Sequence, residues 1–120
     1  MALKCTVRQT GDVSIMDLDG TLSLAERQGD SGIVIDQVRK LIDEGHKKIV
    51  LNFARLSSMD SAGIGQLIGT LTTTRSRGAQ IKISKPTKDI RKLLELTQLA
   101  KVLDVHDDED SALGAFAAGA

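Results

Sequence analysis

One serine of this chain, Ser61, occupies a position where a hydroxyl can accept a phosphate. It lies between an apolar run that ends at Phe53 and a helical apolar pattern that begins at Ile64. The first turn of a helix has backbone N–H groups without intrahelical partners, and it lies at the positive end of the helix dipole. A phosphate is electrostatically favoured there. The sequence therefore predicts a modifiable hydroxyl at the exposed start of a helix.

The residues around Ser61 do not predict catalysis. Asp60 cannot turn a hydroxyl into a nucleophile as an imidazole can. The elbow of a lipase-type hydrolase requires a glycine two residues before the serine, and this chain has Met59 there. The chain also lacks a Walker loop and the glycine pattern of a dinucleotide-binding turn. We predict no catalytic residue and no enzymatic activity.

The other reactive side chains are predicted to be structural. Cys5, the only cysteine, alternates with apolar residues as a core position of a strand does. His46 and His106 have no cysteine or second histidine nearby, so a zinc site is not expected. The acids at 107–110 lack the glycine and ligand spacing of a calcium loop, and they suit the start of a helix. We predict neither a metal nor a cofactor.

Two elements are predicted to position Ser61. The apolar, β-branched run at 49–53 predicts a strand covered on both faces. After it, apolar residues recur at the i, i+3, i+4 and i+7 spacing of one helix face. That face consists of Ile64, Leu67, Ile68 and Leu71. The helix is predicted over about 61–77, with Ser57 and Ser58 in turn and capping roles and the threonines at 72–74 solvated.

The rest of the chain alternates strands and helices. A hairpin with its turn at Gly11 opens the chain, and its second strand is predicted to end at Asp19–Gly20. Positions 21–32 are predicted to form a solvated loop. A helix closed by Gly45, two strands, a helix capped by Thr87 and a last helix complete the pattern.

The resulting order, β-β-α-β-α-β-α-β-α, predicts one α/β domain. Strands that alternate with helices need crossover connections, which produce a mixed or mostly parallel sheet. The domain is predicted to span residues 1–120, with its core at about 3–117. The pattern alone leaves open whether the helices cover one face of the sheet or both.

Composition argues against two classes of partner. Sixteen Lys and Arg residues balance sixteen Asp and Glu residues, and aromatic residues make up 2% of the chain. The protein therefore has neither the positive field nor the stacking platforms of a nucleic-acid-binding protein. No apolar run approaches the ~20 residues of a membrane span, so membrane insertion is not expected. A single cysteine and no apolar signal region predict a cytoplasmic protein.

The segment Met59–Gly65, Met-Asp-Ser-Ala-Gly-Ile-Gly, resembles the D-S-[SA]-G-[LI]-G motif of STAS domains, specifically of the bacterial anti-sigma factor antagonists. In the order and size of its elements, the resemblance extends from about Leu3 to about Phe116. It implies a single STAS-like domain with a mixed sheet of about five strands and about four helices packed mainly on one side.

For function, the resemblance implies a binding module. Its partner would be an anti-sigma factor serine kinase, which phosphorylates Ser61 and then dissociates, and a serine phosphatase would later remove the phosphate. The implied partner-binding residues are Ser58, Met59, Asp60, Ser61, Ala62, Gly63, Ile64 and Gly65. The two glycines would let the partner approach the helix backbone. Exposed helix positions, expected at Gln66 and Thr70, would extend this surface.

Three alternatives remain open from the sequence. Asp60 or Ser61 could merely cap the helix while the glycines ease its packing against the sheet. The chain could also be a non-phosphorylated STAS accessory subunit of a transport or signalling complex. The third alternative is a small nucleotide-binding regulator, and its only support is that the start of a helix can bind an anion. Ala62 replaces a second Ser or Thr that many relatives carry, which leaves Ser61 as the single acceptor at the helix start.

Overall fold

The computed structural model of the chain describes residues 3–22 and 33–118. Its strands and helices follow the predicted order, with a short 3-10 helix at Leu99–Lys101 before the last strand. In chain order they are β1 (Lys4–Thr10), β2 (Val13–Leu22), α1 (Ile33–Asp43), β3 (Lys48–Met59), α2 (Ser61–Ser76), β4 (Gln80–Ser84), α3 (Lys88–Leu96), β5 (Asp104–His106) and α4 (Glu109–Ala118). Of the predicted loop, positions 21 and 22 belong to β2 and positions 23–32 lie outside the described residues.

The five strands form one mixed sheet in the order β1-β2-β3-β4-β5. β1 pairs with β2 antiparallel through the predicted hairpin, and the other neighbouring strands are parallel. Gly11 has a φ of +60° in the hairpin turn, a conformation that favours glycine. Because the parallel strands follow one another side by side and crossovers are right-handed, α1, α2 and α3 lie on one face of the sheet.

Hydrophobic cores cover both faces of the sheet. The larger core lies between the sheet and α1, α2 and α3, and it includes Phe53 and Leu67. The smaller core lies under α4 and consists of Val13, Ile15, Val50, Ala112 and Phe116. Since α4 follows the last strand, it is not a crossover and can cover the opposite face. These observations confirm the predicted α/β fold, with five strands and four helices packed mainly on one side.

The prediction for β3 was wrong in length. A strand at 49–53 is predicted, but β3 continues to Met59, and β2 likewise passes the expected break at Asp19–Gly20. The pairing of β2 with β3 shifts register twice, once within 17–19 and once within 20–21. Each shift is a bulge that changes which side chains of β3 face the core. The alternation of apolar and polar residues breaks at both bulges, so the sequence pattern ends too early.

The predicted core face of α2 was also wrong in part. Ile68 is 45% exposed, whereas Thr70 and Thr74 are fully buried. The Thr70 hydroxyl donates to the carbonyl oxygen of Gln66 at 2.7 Å, and the Thr74 hydroxyl donates to that of Thr70 at 2.5 Å. The hydroxyls of both threonines are thus hydrogen-bonded within the helix, so these side chains can be buried. The prediction that Thr74 is solvated was wrong. The helix is rotated so that one apolar edge faces solvent.

Helix ends agree with the predicted signals. Gly45 follows α1 with a φ of +93°, as expected for a glycine that closes a helix. The Thr87 side chain caps α3 by accepting a hydrogen bond from the backbone N–H of Ile90. The Asp108 side chain accepts one from the backbone N–H of Ser111 at 2.7 Å. The acidic run therefore caps α4, as predicted.

Other acids of that run form ion pairs: Asp107 lies 2.6 Å from Arg91, and Glu109 lies 2.7 Å from Arg8. Within residues 3–22 and 33–118, no group of three or more His, Cys, Asp or Glu side chains is arranged to hold a metal ion. Over the same ranges, no helix has both the length and the apolar character required to cross a membrane.

Candidate functional site

At the start of α2, one residue caps the helix and the next exposes its hydroxyl. Asp60 is the N-cap, with an extended backbone (φ −95°, ψ −174°), and its Oδ1 accepts a hydrogen bond from the N–H of Gly63 at 2.8 Å. Ser61 is the first helical residue and is exposed. Its hydroxyl makes no hydrogen bond to any residue that the structure describes. The capping alternative therefore applies to Asp60 and leaves the hydroxyl of Ser61 accessible.

Replacing Asp60 by alanine is expected to lower the free energy of unfolding by about 1 kcal/mol, because the N–H of Gly63 loses its acceptor. Asp60→Asn is the matched control, since the amide oxygen can accept the same hydrogen bond. Urea denaturation of the two variants measures the difference. An equal loss in both would show that the charge of Asp60, and not its hydrogen bond to Gly63, stabilises the start of α2.

The end of β2 holds the first turn of α2 in place. The carbonyl oxygen of Leu22 accepts a hydrogen bond from the N–H of Asp60 at 3.2 Å. A Cβ at position 63 would lie 2.1 Å from that same oxygen and 2.8 Å from Cγ of Met59. Gly63 is therefore needed for packing within the chain. By contrast, a Cβ at Gly65 would meet no atom within 4 Å, so the surface at Gly65 is open.

Ser57 and Ser58 do not form the predicted turn and do not cap α2. Both lie in β3. The Ser57 hydroxyl donates to the carbonyl oxygen of Gly20 at 2.9 Å, and the hydroxyls of Ser58 and Thr21 lie 3.2 Å apart. These contacts join the extended ends of β2 and β3 beside the second bulge. The two serines thus position the helix start by lengthening the strand that leads to it.

The predicted partner-binding residues differ in accessibility. Ser58, Asp60, Ser61 and Gly65 are exposed, Ala62 and Ile64 are partly buried, and Met59 and Gly63 are buried. Contact of these eight residues with a partner stays a prediction. Only the residues with exposed surface are able to contact a partner. The expected extension to Gln66 and Thr70 was wrong, because both are buried. Ile68 and Thr72 are exposed on α2 instead, which only the rotation of the helix reveals.

The cysteine is poorly suited to nucleophilic chemistry. Cys5 is partly buried and packs against the larger core, in agreement with its predicted structural role. Burial, and secondarily the nearby carboxylate of Asp17, raises the pKa of the Cys5 thiol to about 11. The thiol is therefore protonated at neutral pH, and thiolate is the nucleophilic form.

A serine, a histidine and an aspartate also meet where β5 joins α4. His106 Nδ1 lies 2.8 Å from the Ser111 hydroxyl, and His106 Nε2 lies 3.1 Å from Asp104. In a hydrolase triad the acid holds Nδ1 and the serine faces Nε2, which is the reverse of this arrangement. Asp104 is also paired with Lys82. The contacts join β4, β5 and α4 and have the character of a structural network.

Four residues of the motif thus have distinct positions. Asp60 caps α2 and Ser61 exposes its hydroxyl, whereas Gly63 is buried against β2 and Gly65 faces open space. The family model of the STAS domain matches residues 4–112. The chain belongs to the STAS domain family. The motif of this STAS domain lies at the junction of β3 with α2.

Relatives of this STAS domain carry different functional descriptions. The anti-sigma F factor antagonist of Paenibacillus polymyxa is 29% identical over 83 residues, which cover 65% of this chain and 71% of that protein. The Bacillus cell fate determinant SpoIIAA, in its phosphorylated form, has a TM-score of 0.68 at 21% identity, covering 94% of this chain and 99% of that chain. A sulfate transporter family protein from Wolinella succinogenes has a TM-score of 0.71 at 20% identity, with coverages of 88% and 85%. The two structural likenesses establish the shared fold.

Proposed function

We propose that this STAS domain is an anti-sigma factor antagonist whose binding is switched by phosphorylation of Ser61. In the unmodified state, the surface around the start of α2 binds an anti-sigma factor that is itself a serine kinase. Transfer of a phosphate to Ser61 releases that partner, and a serine phosphatase restores binding. The chain acts as a binding module in this scheme, not as an enzyme.

The observation that carries the proposal is the separation of cap and acceptor. Because Asp60 satisfies the N–H of Gly63, the fold does not need the hydroxyl of Ser61 for capping. The hydroxyl remains exposed at the first position of a 16-residue helix. A kinase can therefore reach Ser61 without unfolding the first turn. The relative described as an anti-sigma F factor antagonist and the phosphorylated form of SpoIIAA support the same assignment.

A phosphate on Ser61 should act on the partner more than on the fold. It would add nearly two negative charges at the positive end of the α2 dipole, where anions are favoured. A partner docked on this surface would then have to bury a dianion beside the carboxylate of Asp60. Burial of such a charge is costly unless a new cation pairs with it. The helix start can thus switch binding while the domain stays folded.

The accessible surface continues along one side of α2. Ser61, Gly65, Ile68 and Thr72 are all exposed and follow one another at spacings of three and four residues, which places them on one helix face. No charged residue occurs in α2 before Arg75, whereas α1 and α3 both carry several. Charged residues are depleted at the centres of protein interfaces. We include Ile68 in the proposed interface as its exposed apolar contact.

Replacing Ile68 by serine is expected to weaken partner binding about tenfold, since burial of its exposed area contributes about 1.5 kcal/mol. Leu96→Ser is the matched control, because Leu96 is a 73% exposed apolar residue on α3. Isothermal calorimetry with the cognate partner measures both affinities, and urea denaturation verifies that both variants fold. Unchanged binding by Ile68→Ser, or an equal loss with Leu96→Ser, would contradict this extent of the interface.

The proposed function is tested by intact-mass spectrometry of the protein incubated with ATP and with the serine kinases of its own genome. We expect one added phosphate with the kinase that also binds the protein, and none with the Ser61→Ala variant. Stable binding to a partner that never transfers phosphate would instead favour the alternative of an accessory subunit in a transport or signalling complex. The fold shared with the sulfate transporter family protein makes that a meaningful outcome.

A further inference from the structure

The outer face of the sheet, opposite α1, α2 and α3, carries a cleft of about 470 Å³ between β1, β2 and β3. α4 packs on this face over Val13, Ile15 and Val50. Farther along the strands, the polar side chains of the three strands line the cleft. Its volume lies within the range of sites for small molecules.

The first bulge of β3 creates one wall of this cleft. Phe53 and Leu56 are both buried in the larger core, although they are three residues apart on a strand. In a regular strand, Arg55 would share the core-facing side with Phe53. The bulge opposite 17–19 moves Arg55 to the outer face, beside Asp19. Bulges commonly re-aim a side chain in this way next to functional sites.

A hydrogen-bonded network fixes the other wall. Asp17 accepts hydrogen bonds from Arg8 at 2.6 and 2.9 Å and from the Asn52 amide at 2.7 Å. The Asn52 side-chain oxygen accepts the backbone N–H of Ala54 at 3.0 Å, within the bulge. The hydrogen bonds from Arg8 are the main reason that the pKa of Asp17 is lowered. The carboxylate of Asp17 and the side-chain amide of Asn52 are therefore already hydrogen-bonded within the protein.

The groups still available to a ligand lie in one row across the sheet. Lys4 pairs in register with Asp19, which pairs with Arg55. Arg55 Nη1 is 3.7 Å from the Asp19 carboxylate, and the Arg55 side chain is 81% exposed. Over the described part of the chain, Lys4 has no ion pair. The row therefore presents two cations to one carboxylate, with the hydroxyl of Thr6 alongside.

We propose that this cleft binds a small organic acid. A carboxylate of the ligand would lie between the ammonium of Lys4 and the guanidinium of Arg55, whose planar fork suits a carboxylate. A hydroxyl or amino group of the same ligand would donate to Asp19. The site thus favours a hydroxy acid or an amino acid over a simple anion. It lies on the opposite side of the sheet from α2 and does not depend on the role of Ser61.

The test is an NMR titration of the isotope-labelled chain with L-malate, which carries two carboxylates and one hydroxyl. We expect saturable shifts of the backbone amides of Lys4, Asp19 and Arg55 at millimolar malate, with weaker binding of succinate, which lacks the hydroxyl. Arg55→Gln is expected to raise the dissociation constant for malate about tenfold. Arg39→Gln is the matched control, since Arg39 is an exposed arginine with a loose 4.0 Å pair to Asp36 on α1.

Three results would overturn the proposal. One is the absence of saturable shifts at the cleft with both malate and succinate. The second is equal shifts with inorganic phosphate, which would show general attraction of anions to a positive surface. The third is an equal effect of Arg39→Gln and Arg55→Gln on malate binding. None of these outcomes depends on whether the chain binds an anti-sigma factor.

Discussion

The free energy of unfolding of the Gly63→Ala variant is expected to be about 3 kcal/mol lower than that of the unmodified protein. The added Cβ would lie 2.1 Å from the carbonyl oxygen of Leu22 and 2.9 Å from its carbonyl carbon. Both atoms belong to the backbone of β2, which cannot rotate away as a side chain would. The start of α2 would have to move off the sheet, and overpacking of this kind costs about 1–3 kcal/mol and occasionally more.

Gly65→Ala is the control for this prediction, two residues farther along the same helix. Its Cβ would meet nothing within 4 Å. Alanine is favoured over glycine within a helix by about 1 kcal/mol, so this variant is expected to be as stable as the unmodified protein or more stable. Urea denaturation of both variants measures the two values. Similar stabilities of the two variants would show that α2 can shift freely against the end of β2.

Several features of the fold could be predicted from the sequence because local chemistry determines them. Gly11 and Gly45 adopt conformations with positive φ. The sequence predicts a hairpin turn at Gly11 and the end of a helix at Gly45. Thr87 and Asp108 accept hydrogen bonds at the starts of α3 and α4. Each of these interactions spans only a few residues. The element order follows from these signals together with the periodicity of the apolar residues, and the STAS resemblance predicted that the helices pack mainly on one face of the sheet.

The features that the sequence did not predict arise from contacts between distant segments. The bulges of β3 depend on its pairing with β2, and they reverse the alternation that a periodic pattern requires. The rotation of α2 depends on the fit of its small and hydroxyl residues against the neighbouring elements. Thr70 and Thr74 can be buried because each hydroxyl donates to the preceding turn, which leaves Ile68 exposed.

The candidate site was predictable in part for the same reasons. The motif located the strand-to-helix junction, because an apolar strand and an amphipathic helix flank it. It did not decide whether Asp60 or Ser61 caps the helix, since both side chains can accept the hydrogen bond. The structure assigns the cap to Asp60. It also shows that Gly63, which the resemblance implies as a partner contact, is buried against β2.

Phosphorylation of Ser61 is expected to weaken binding of the anti-sigma partner more than about a hundredfold, which corresponds to about 3 kcal/mol. The phosphate would lie next to the carboxylate of Asp60, on a surface where α2 contributes no cation before Arg75. The domain offers nothing nearby on α2 to neutralise it, so the partner would bear the cost of burying the charge. Ser61→Asp adds one charge and should give a smaller loss, of at least about tenfold.

Ser61→Ala separates the effect of charge from that of the hydroxyl itself. The Ser61 hydroxyl makes no hydrogen bond within the described parts of the chain, so its removal should leave the fold and the affinity nearly unchanged. Calorimetry with the partner would compare the phosphorylated protein, Ser61→Asp and Ser61→Ala with the unmodified chain. Because anions are favoured at a helix start, the thermal stability of the free domain should not fall on phosphorylation. If Ser61→Asp and Ser61→Ala both bind as tightly as the unmodified chain, a charge switch at this position is contradicted. An equal loss of affinity in both variants would also contradict it and would indicate direct contact of the hydroxyl with the partner.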